Sequence, residues 1–325
     1  MVRIGILGTS RIARLLFQRP LQGAQIAAIA SREQSRAAAY AREYNIPRFY
    51  GAYDDLLGDA SLDVVYIPLP QSLHAEYTVK AARSGKHVLV EKPAALTAKE
   101  VSTMIRACER HGVLLMEGLM YRFLPIQQRV KQLVVDGTIG ALRYIDFNWC
   151  VNARATGRTG FRFERKMGGG ALYDLGVYGI DFMKFLSPGG RPRIFFASTY
   201  RKDRRSVDEF THALLTVDGI VAAITVSYAT DANYYTLSGD KGSIHVPRGV
   251  AGRVVDTLLQ VHLLDGDKRY EEHFPAVNSY ILELEHFARC IEKGEEPMVT
   301  PRVTLENIRL VEQVFKKAIL LPRLA

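Results

Sequence analysis

Cysteine is scarce in this chain and odd in number: Cys108, Cys150 and Cys290 stand far apart and none belongs to a CxxC pair. That excludes a disulfide framework or a thiolate zinc site and points to a reducing compartment. Long apolar runs are missing too. No stretch is long enough to cross a bilayer, and the opening Met-Val-Arg-Ile-Gly-Ile-Leu-Gly reads as a strand and turn rather than a signal peptide, so the expectation is a cytoplasmic protein with no membrane partner. Basic helices, zinc-finger spacings, repeats and low-complexity segments are absent. The net charge of +9 is spread along the chain, which argues against a nucleic-acid partner. Its densest cluster, Arg201-Lys202-Asp203-Arg204-Arg205, reads as a solvated loop. The charge supports a modest attraction for anionic cofactors or phosphorylated substrates, and no more.

What remains is an ordinary globular composition, 48% hydrophobic and 24% charged, in 325 residues, enough for about two domains. The first part alternates short β-rich runs with helical patterns. Strands are predicted at 2–7, 24–30, 64–67, 87–90 and 113–116, with helical stretches beginning at 12, 33, 74 and 98. Beyond Pro125 a helix over 126–136 leads to Gly137, where the texture changes. Seven runs between 144 and 264 then read as antiparallel strands in a sheet of about six, interrupted by a helix over 168–186. Two amphipathic helices close the chain, one with a stripe of Ile281, Leu284, Phe287 and Ile291, the other with Leu305, Ile308, Val311 and Phe315. The fold class expected is α/β: a Rossmann doubly wound parallel sheet over 1–122, then an α+β domain over 123–325 with a large, mostly antiparallel open sheet.

Gly5-Ile6-Leu7-Gly8-Thr9-Ser10-Arg11-Ile12-Ala13 lies where the first strand turns into the first helical stretch. Small residues at Gly8, Ser10 and Ala13 let the chain turn tightly and bring the N–H groups of Thr9, Ser10, Arg11 and Ile12 to a pyrophosphate. The same residues also suit a tight turn that binds nothing, and Ser10 departs from the middle glycine. At the end of the second strand a carboxylate for a ribose 2′-hydroxyl is missing. Ser31 and Arg32 stand there, with Arg36 one turn on, which suits a 2′-phosphate: NADP(H), with NAD(H) less favoured. The alternative is a solvated helix start. Lys92 follows the apolar run Val88-Leu89-Val90, at the carboxyl end of a strand where open α/β sheets bind ligands; an ordinary surface lysine is the competing reading. Asp174 and Tyr178, four apart after Gly168-Gly169-Gly170, share a face if the stretch is helical, which equally describes a capped helix with a core tyrosine.

Tyr66-Ile67-Pro68-Leu69-Pro70, His74, Gly85-Lys86-His87-Val88-Leu89-Val90-Glu91-Lys92-Pro93, Met116-Glu117-Gly118-Leu119-Met120-Tyr121-Arg122-Phe123 and Gly168 through Tyr178 together resemble the glucose–fructose oxidoreductase, inositol dehydrogenase and rhizopine-catabolism (Gfo/Idh/MocA) family. The resemblance runs from Val2 to the last helix. It implies a cis Lys92–Pro93 bond, an active site in an interdomain cleft, and a homodimer or homotetramer formed through the C-terminal sheet. It implies hydride transfer between a nicotinamide and a carbon bearing a hydroxyl or carbonyl, on a sugar, keto-sugar or cyclic polyol, with trans-dihydrodiols also in range. Lys92, Tyr178 and Asp174 are then the expected catalytic residues: Tyr178, where many relatives have histidine, as proton relay, Lys92 at the reacting oxygen, and Asp174 orienting a substrate hydroxyl. Pro68, Leu69, His74, Glu91 and Arg122 are expected beside the cofactor, and Tyr121, Trp149 and Arg162 beside the substrate. No metal is expected. The rival reading is a non-catalytic sensor of NADP or sugar on the same fold.

Overall fold

The computed structural model describes residues 1–322 except 154, 158, 204 and 250–254. The chain divides into two compact units, Met1–Met120 with Tyr280–Ile308, and Tyr121–Ser279 with Arg309–Ala325. In the first, β1 (Val2–Leu7), β2 (Ala24–Ala30), α1 (Gln34–Tyr44), β3 (Arg48–Tyr50), α2 (Tyr53–Leu57), β4 (Val64–Ile67), α3 (His74–Arg83), β5 (His87–Glu91), α4 (Ala98–Arg110) and β6 (Leu115–Gly118) follow in order. The strands are all parallel, in the order β3-β2-β1-β4-β5-β6. The order reverses between β1 and β4, the place where doubly wound sheets open a crevice at their carboxyl ends. Val64, Val65, Tyr66 and Ile67 of β4 are all buried, the continuous apolar pattern of a strand covered on both faces. At the start of α4 the Thr97 hydroxyl accepts from the Glu100 amide while the Glu100 carboxylate accepts from that of Thr97, a capping box that fixes where the crossover from β5 becomes helical.

The first crossover departs from expectation. After β1 the chain makes only a five-residue 3₁₀ turn, Ala13–Phe17, because the segment beyond is drawn away: Glu285 takes the Arg19 guanidinium at 2.5 and 3.0 Å and the Gln22 amide at 2.8 Å. Two short elements, β3 and α2, carry too few residues to show a period.

The second unit begins with α5 (Pro125–Val135), followed by β7 (Leu142–Cys150), α6 (Val177–Leu186), β8 (Arg193–Tyr200), β9 (Phe210–Val217), β10 (Ile220–Ser227), β11 (Ala232–Gly239), β12 (Gly242–Pro247), β13 (Thr257–Leu263) and β14 (Lys268–Phe274). The chain ends with α7 (Ser279–Lys293), α8 (Pro301–Lys317) and β15 (Ile319–Leu320). The sheet has nine strands, not about six, in the order β14-β13-β12-β11-β7-β10-β9-β8-β15, and two of its pairings, β7 with β10 and β8 with β15, are parallel. Inward side chains alternate along the strands, and every residue of α6 is buried. Gly179 permits the close approach of α6 to the sheet: a Cβ there would lie 2.7 Å from Ile224 Cγ2 and 2.8 Å from Phe147 Cδ1. Two strands of this sheet were missed by pattern: β15, with only two residues, and β14, which reads Lys-Arg-Tyr-Glu-Glu-His-Phe. β14 is an exposed edge strand, and charge on an edge discourages pairing with another chain while erasing the alternation that would have revealed it.

Candidate active site

At the carboxyl end of β1 the chain turns through Gly8 at φ +93°, where a Cβ would stand 2.9 Å from Leu69 Cδ2. Leu69 and Pro68 follow β4, so the ends of β1 and β4 meet across this glycine. Thr9, Ser10 and Ile12 are half-buried and Arg11 is exposed. The Ser10 hydroxyl accepts from the Ala13 amide at 3.2 Å, which closes the turn in place of a longer helix. At the end of β2, Ser31 is buried and Arg32 and Arg36 are exposed, Arg36 lying 3.7 Å from Glu33. A glycine that admits no side chain, beside a hydroxyl and two exposed guanidiniums, fits a phosphate-bearing dinucleotide and fits the 2′-phosphate better than a bare ribose hydroxyl.

Lys92 follows β5 directly, half-buried, and its bond to Pro93 is cis. The segment around it is held by buried polar groups. His74, wholly buried, faces two carbonyls, Pro93 O from Nδ1 at 2.9 Å and Leu69 O from Nε2 at 2.8 Å. Burial outweighs those carbonyls and pulls its pKa to about 4, so the ring is neutral at pH 7 and donates to one of them at a time. His74 thus ties the Leu69 turn to the Glu-Lys-Pro segment. Glu91, also expected at the cofactor, is buried and accepts from the Tyr66 hydroxyl at 2.6 Å. Glu117 accepts from the Ala94 amide at 2.9 Å. Glu283 of α7 is buried too; burial, with the charges of Glu91 and Glu117, holds its carboxyl far above the usual range.

In the second unit Asp174 does not sit in an α-helix. Leu172–Gly176 forms a π-helical turn before α6 begins at Val177, so the simple i, i+4 relation to Tyr178 is lost and the two side chains meet different neighbours. Asp174 Oδ2 accepts from Arg162 Nε at 3.2 Å and from the Tyr228 hydroxyl at 3.1 Å, while Tyr228 also reaches Gly170 O at 3.1 Å. Burial, then the Asp174 charge, hold the Tyr228 phenol far above its ordinary range, so it stays a donor. Tyr178 is buried with its ring 4.4 Å from that of Trp149 and 5.8 Å, edge-on, from that of Tyr121. Trp149 and Arg162 therefore do gather around Tyr178 and Asp174.

Tyr121 and Arg122 have another occupation. The Tyr121 hydroxyl donates to Asp181 Oδ2 at 2.5 Å, and Arg122 holds the same carboxylate in a fork, Nε at 2.8 Å and Nη2 at 2.7 Å. All three are buried. An ion pair so desolvated is kept by its geometry, and it fixes Tyr121 and Arg122 within the second unit. Tyr228 and Asp181 were not anticipated. Nothing near either in sequence marks it, because each partner lies far along the chain. A buried carboxylate after three glycines did require donors, and that was the available signal.

Residues 2–119 match the model of the oxidoreductase family with an NAD-binding Rossmann fold, and residues 127–245 match the Gfo/Idh/MocA C-terminal domain. The chain belongs to the Gfo/Idh/MocA family. Among its relatives in that family, D-xylose 1-dehydrogenase (NADP⁺) 2 of Haloferax volcanii is 34% identical over 97% of this chain and 96% of that protein. Two solved Gfo/Idh/MocA-like structures superpose over nearly the whole length. The 3-ketoreductase KijD10 of Actinomadura kijaniata, in complex with NADP and TDP-benzene, has a TM-score of 0.89 at 28% identity, covering 99% of each chain. Aldose-aldose oxidoreductase from Caulobacter crescentus, complexed with glycerol, has a TM-score of 0.87 at 28% identity, covering 98% of this chain and 97% of that one.

Proposed function

We propose that the protein is an NADP-dependent oxidoreductase acting on a hydroxyl or carbonyl carbon of a sugar, keto-sugar or cyclic polyol. The observation that carries the cofactor half of this reading is the end of β2, where Ser31 and Arg32 stand in place of a carboxylate; the NADP-using relatives support it. Gly8, Thr9, Ser10, Arg11, Ile12, Pro68 and Leu69 line the phosphate-binding end of the parallel sheet, and Arg32 with Arg36 takes the 2′-phosphate. When bound, the nicotinamide supplies or accepts hydride at C4. The chain's own task is at the substrate oxygen. Lys92 Nζ stabilises the negative charge that develops there, and the Tyr178 hydroxyl gives up or takes the proton. Asp174, held by Arg162 and Tyr228, fixes the polar side of the substrate site, and Trp149 packs the tyrosine ring into position.

The deciding experiment is nicotinamide absorbance against a panel of pentoses, hexoses, keto-sugars and cyclic polyols with NADP(H) and NAD(H). Lys92→Ala should abolish turnover while NADPH still binds; a folded variant that no longer binds NADPH would overturn the role given to Lys92, and a wild type inert toward the whole panel would favour a sensor. We assign assembly into dimers or tetramers to the nine-stranded sheet, and light scattering of the purified protein tests it.

A further inference from the structure

We propose that the substrate carries an anionic group, a phosphate or a carboxylate, and that Arg162 recognises it. The inference rests on the oxidoreductase reading for the word substrate, but its evidence is separate.

Arg162 lies in the 3₁₀ turn Gly160–Phe163, with its guanidinium carbon 4.7 Å from the centre of the Phe161 ring and its Nε on Asp174. Its side chain is 31% exposed. Among the described residues only Nε–H is seen donating. The two terminal amino groups form the planar fork that matches carboxylate and phosphate oxygens, and the Asp174 contact together with the Phe161 stack hold that fork in one orientation. The turn is pinned by its backbone: the Gly170 amide donates to Arg162 O at 3.0 Å and the Gly169 amide to Glu164 O at 3.0 Å. A Cβ on Gly169 would collide with Arg162 O, so the glycines exist to let this turn lie against the Asp174 segment.

Beyond the carboxylates of Asp174, Asp208 and Glu164, the nearby sequence is basic. Just after Arg162, Arg165 and Lys166 are exposed beside the exposed Glu164. A second basic run of the sequence, 201–205, precedes Asp208, which is fastened to the same segment by the Ala171 amide on its carbonyl at 2.9 Å and the Leu172 amide on its carboxylate at 2.8 Å. Arg201, whose charge acts on Asp208, has a buried Nε with no hydrogen-bond partner among the described residues. Arg162 and Asp208 thus both bond to the stretch from Gly170 to Leu172, the three residues just before Tyr173. A neutral polyol needs balanced donors and acceptors, whereas excess cation around a fixed guanidinium selects an anion and draws it in. The 2′-phosphate of NADP is already served by Arg32 in the other unit.

The test uses full-length protein saturated with NADP⁺, so that the cofactor's own phosphate sites are filled. Trp149 is the sole tryptophan and touches the Tyr178 ring. Its emission, checked by calorimetry, reports binding of glucose, glucose 6-phosphate, glucuronate and inorganic phosphate. The sugar phosphate or the uronate should bind at least about tenfold more tightly than glucose, less so as salt is raised, and whichever anion wins names the group. Arg162→Gln should bring the charged and neutral sugars to within about twofold, Arg162→Lys should lie between, and Arg165→Glu with Lys166→Glu should weaken only the charged ligands. Equal affinity for all three sugars, or a preference that survives Arg162→Gln, would overturn the inference. Anion preference without turnover of any sugar would instead fell the oxidoreductase reading, and turnover of neutral sugars without anion preference would fell this one alone.

Discussion

The polar contacts that hold the Glu-Lys-Pro segment and the turn beside it in the first unit join residues 5 to 25 apart: His74 to Leu69 and Pro93, Tyr66 to Glu91, Ala94 to Glu117. In the second unit Tyr228 reaches Asp174 across 54 residues, and Tyr121 and Arg122 reach Asp181 across 60 and 59. A parallel sheet returns to the same edge once every strand, crossover and strand, so its strand ends meet at intervals of one repeat. An antiparallel sheet with a helical insert gathers its partners from anywhere. The comparison teaches that motifs reveal chemistry well where topology is periodic and poorly where it is not.

The sharpest way to probe that contrast is chemical. Two buried tyrosines of the second unit touch each other, Tyr178 assigned to the reaction and Tyr121 to Asp181. Tyr178→Phe should lower turnover by about 10²–10⁴-fold with the melting temperature and NADPH affinity retained. A near-wild-type rate in steady-state kinetics would move proton transfer to another group, with Lys92 first in line. Next in size is Asp181→Ala, which strands the Arg122 guanidinium in the interior and should cost about 3–5 kcal/mol of stability in denaturant unfolding. A loss below about 1 kcal/mol would mean the node is hydrated and the contrast overstated.

The first unit can be tested by pH. The His74 pKa falls from 6.5 to about 4 on folding, so its contribution is intact above pH 6.5 and is lost as pH falls from 6.5 toward 4, where the unfolded chain takes a proton the folded chain refuses. The shift corresponds to roughly 3 kcal/mol. The difference in unfolding free energy between wild type and His74→Gln should therefore slope across that window and be flat above it; a flat difference throughout would place a proton on the folded ring. The smallest effect concerns Arg32. Arg32→Ala should reduce the preference for NADPH over NADH by about 1.5–3 kcal/mol, read from titrations of both cofactors. Equal affinities in the wild type would remove the NADP assignment.

Most of the parallel sheet was legible from the chain alone. β2 is apolar over 24–30 apart from Gln25, and the Glu-Lys-Pro and Gly8 turns carry their own local reasons for being where they are. The site was legible only in outline. Asp174, Tyr178, Trp149 and Arg162 do come near one another, but the donors that fix Asp174 depend on β10, and Arg122 gave no sign that it would turn inward. The two carbonyls that His74 faces were not legible, because a helix-start histidine beside a binding turn reads the same whatever its ring meets. The first helix failed for a long-range cause, the capture of Arg19 by Glu285, which no reading of residues 12–22 contains.

The π turn at Leu172–Gly176 holds a residue more than an α-helical turn would, and that surplus sets a phase. Removing one residue from it would let the segment relax into continuous α-helix, but everything ahead of the deletion would swing by about 100° around the helix axis. Asp174 would rotate away from Arg162 and Tyr228 while Tyr178, anchored against Trp149, stayed where it is. The relative bearing of these two side chains is thus stored in the length of a five-residue segment more than in its composition. A chain that kept every polar residue named here and dropped one of the five would keep its fold and lose the alignment.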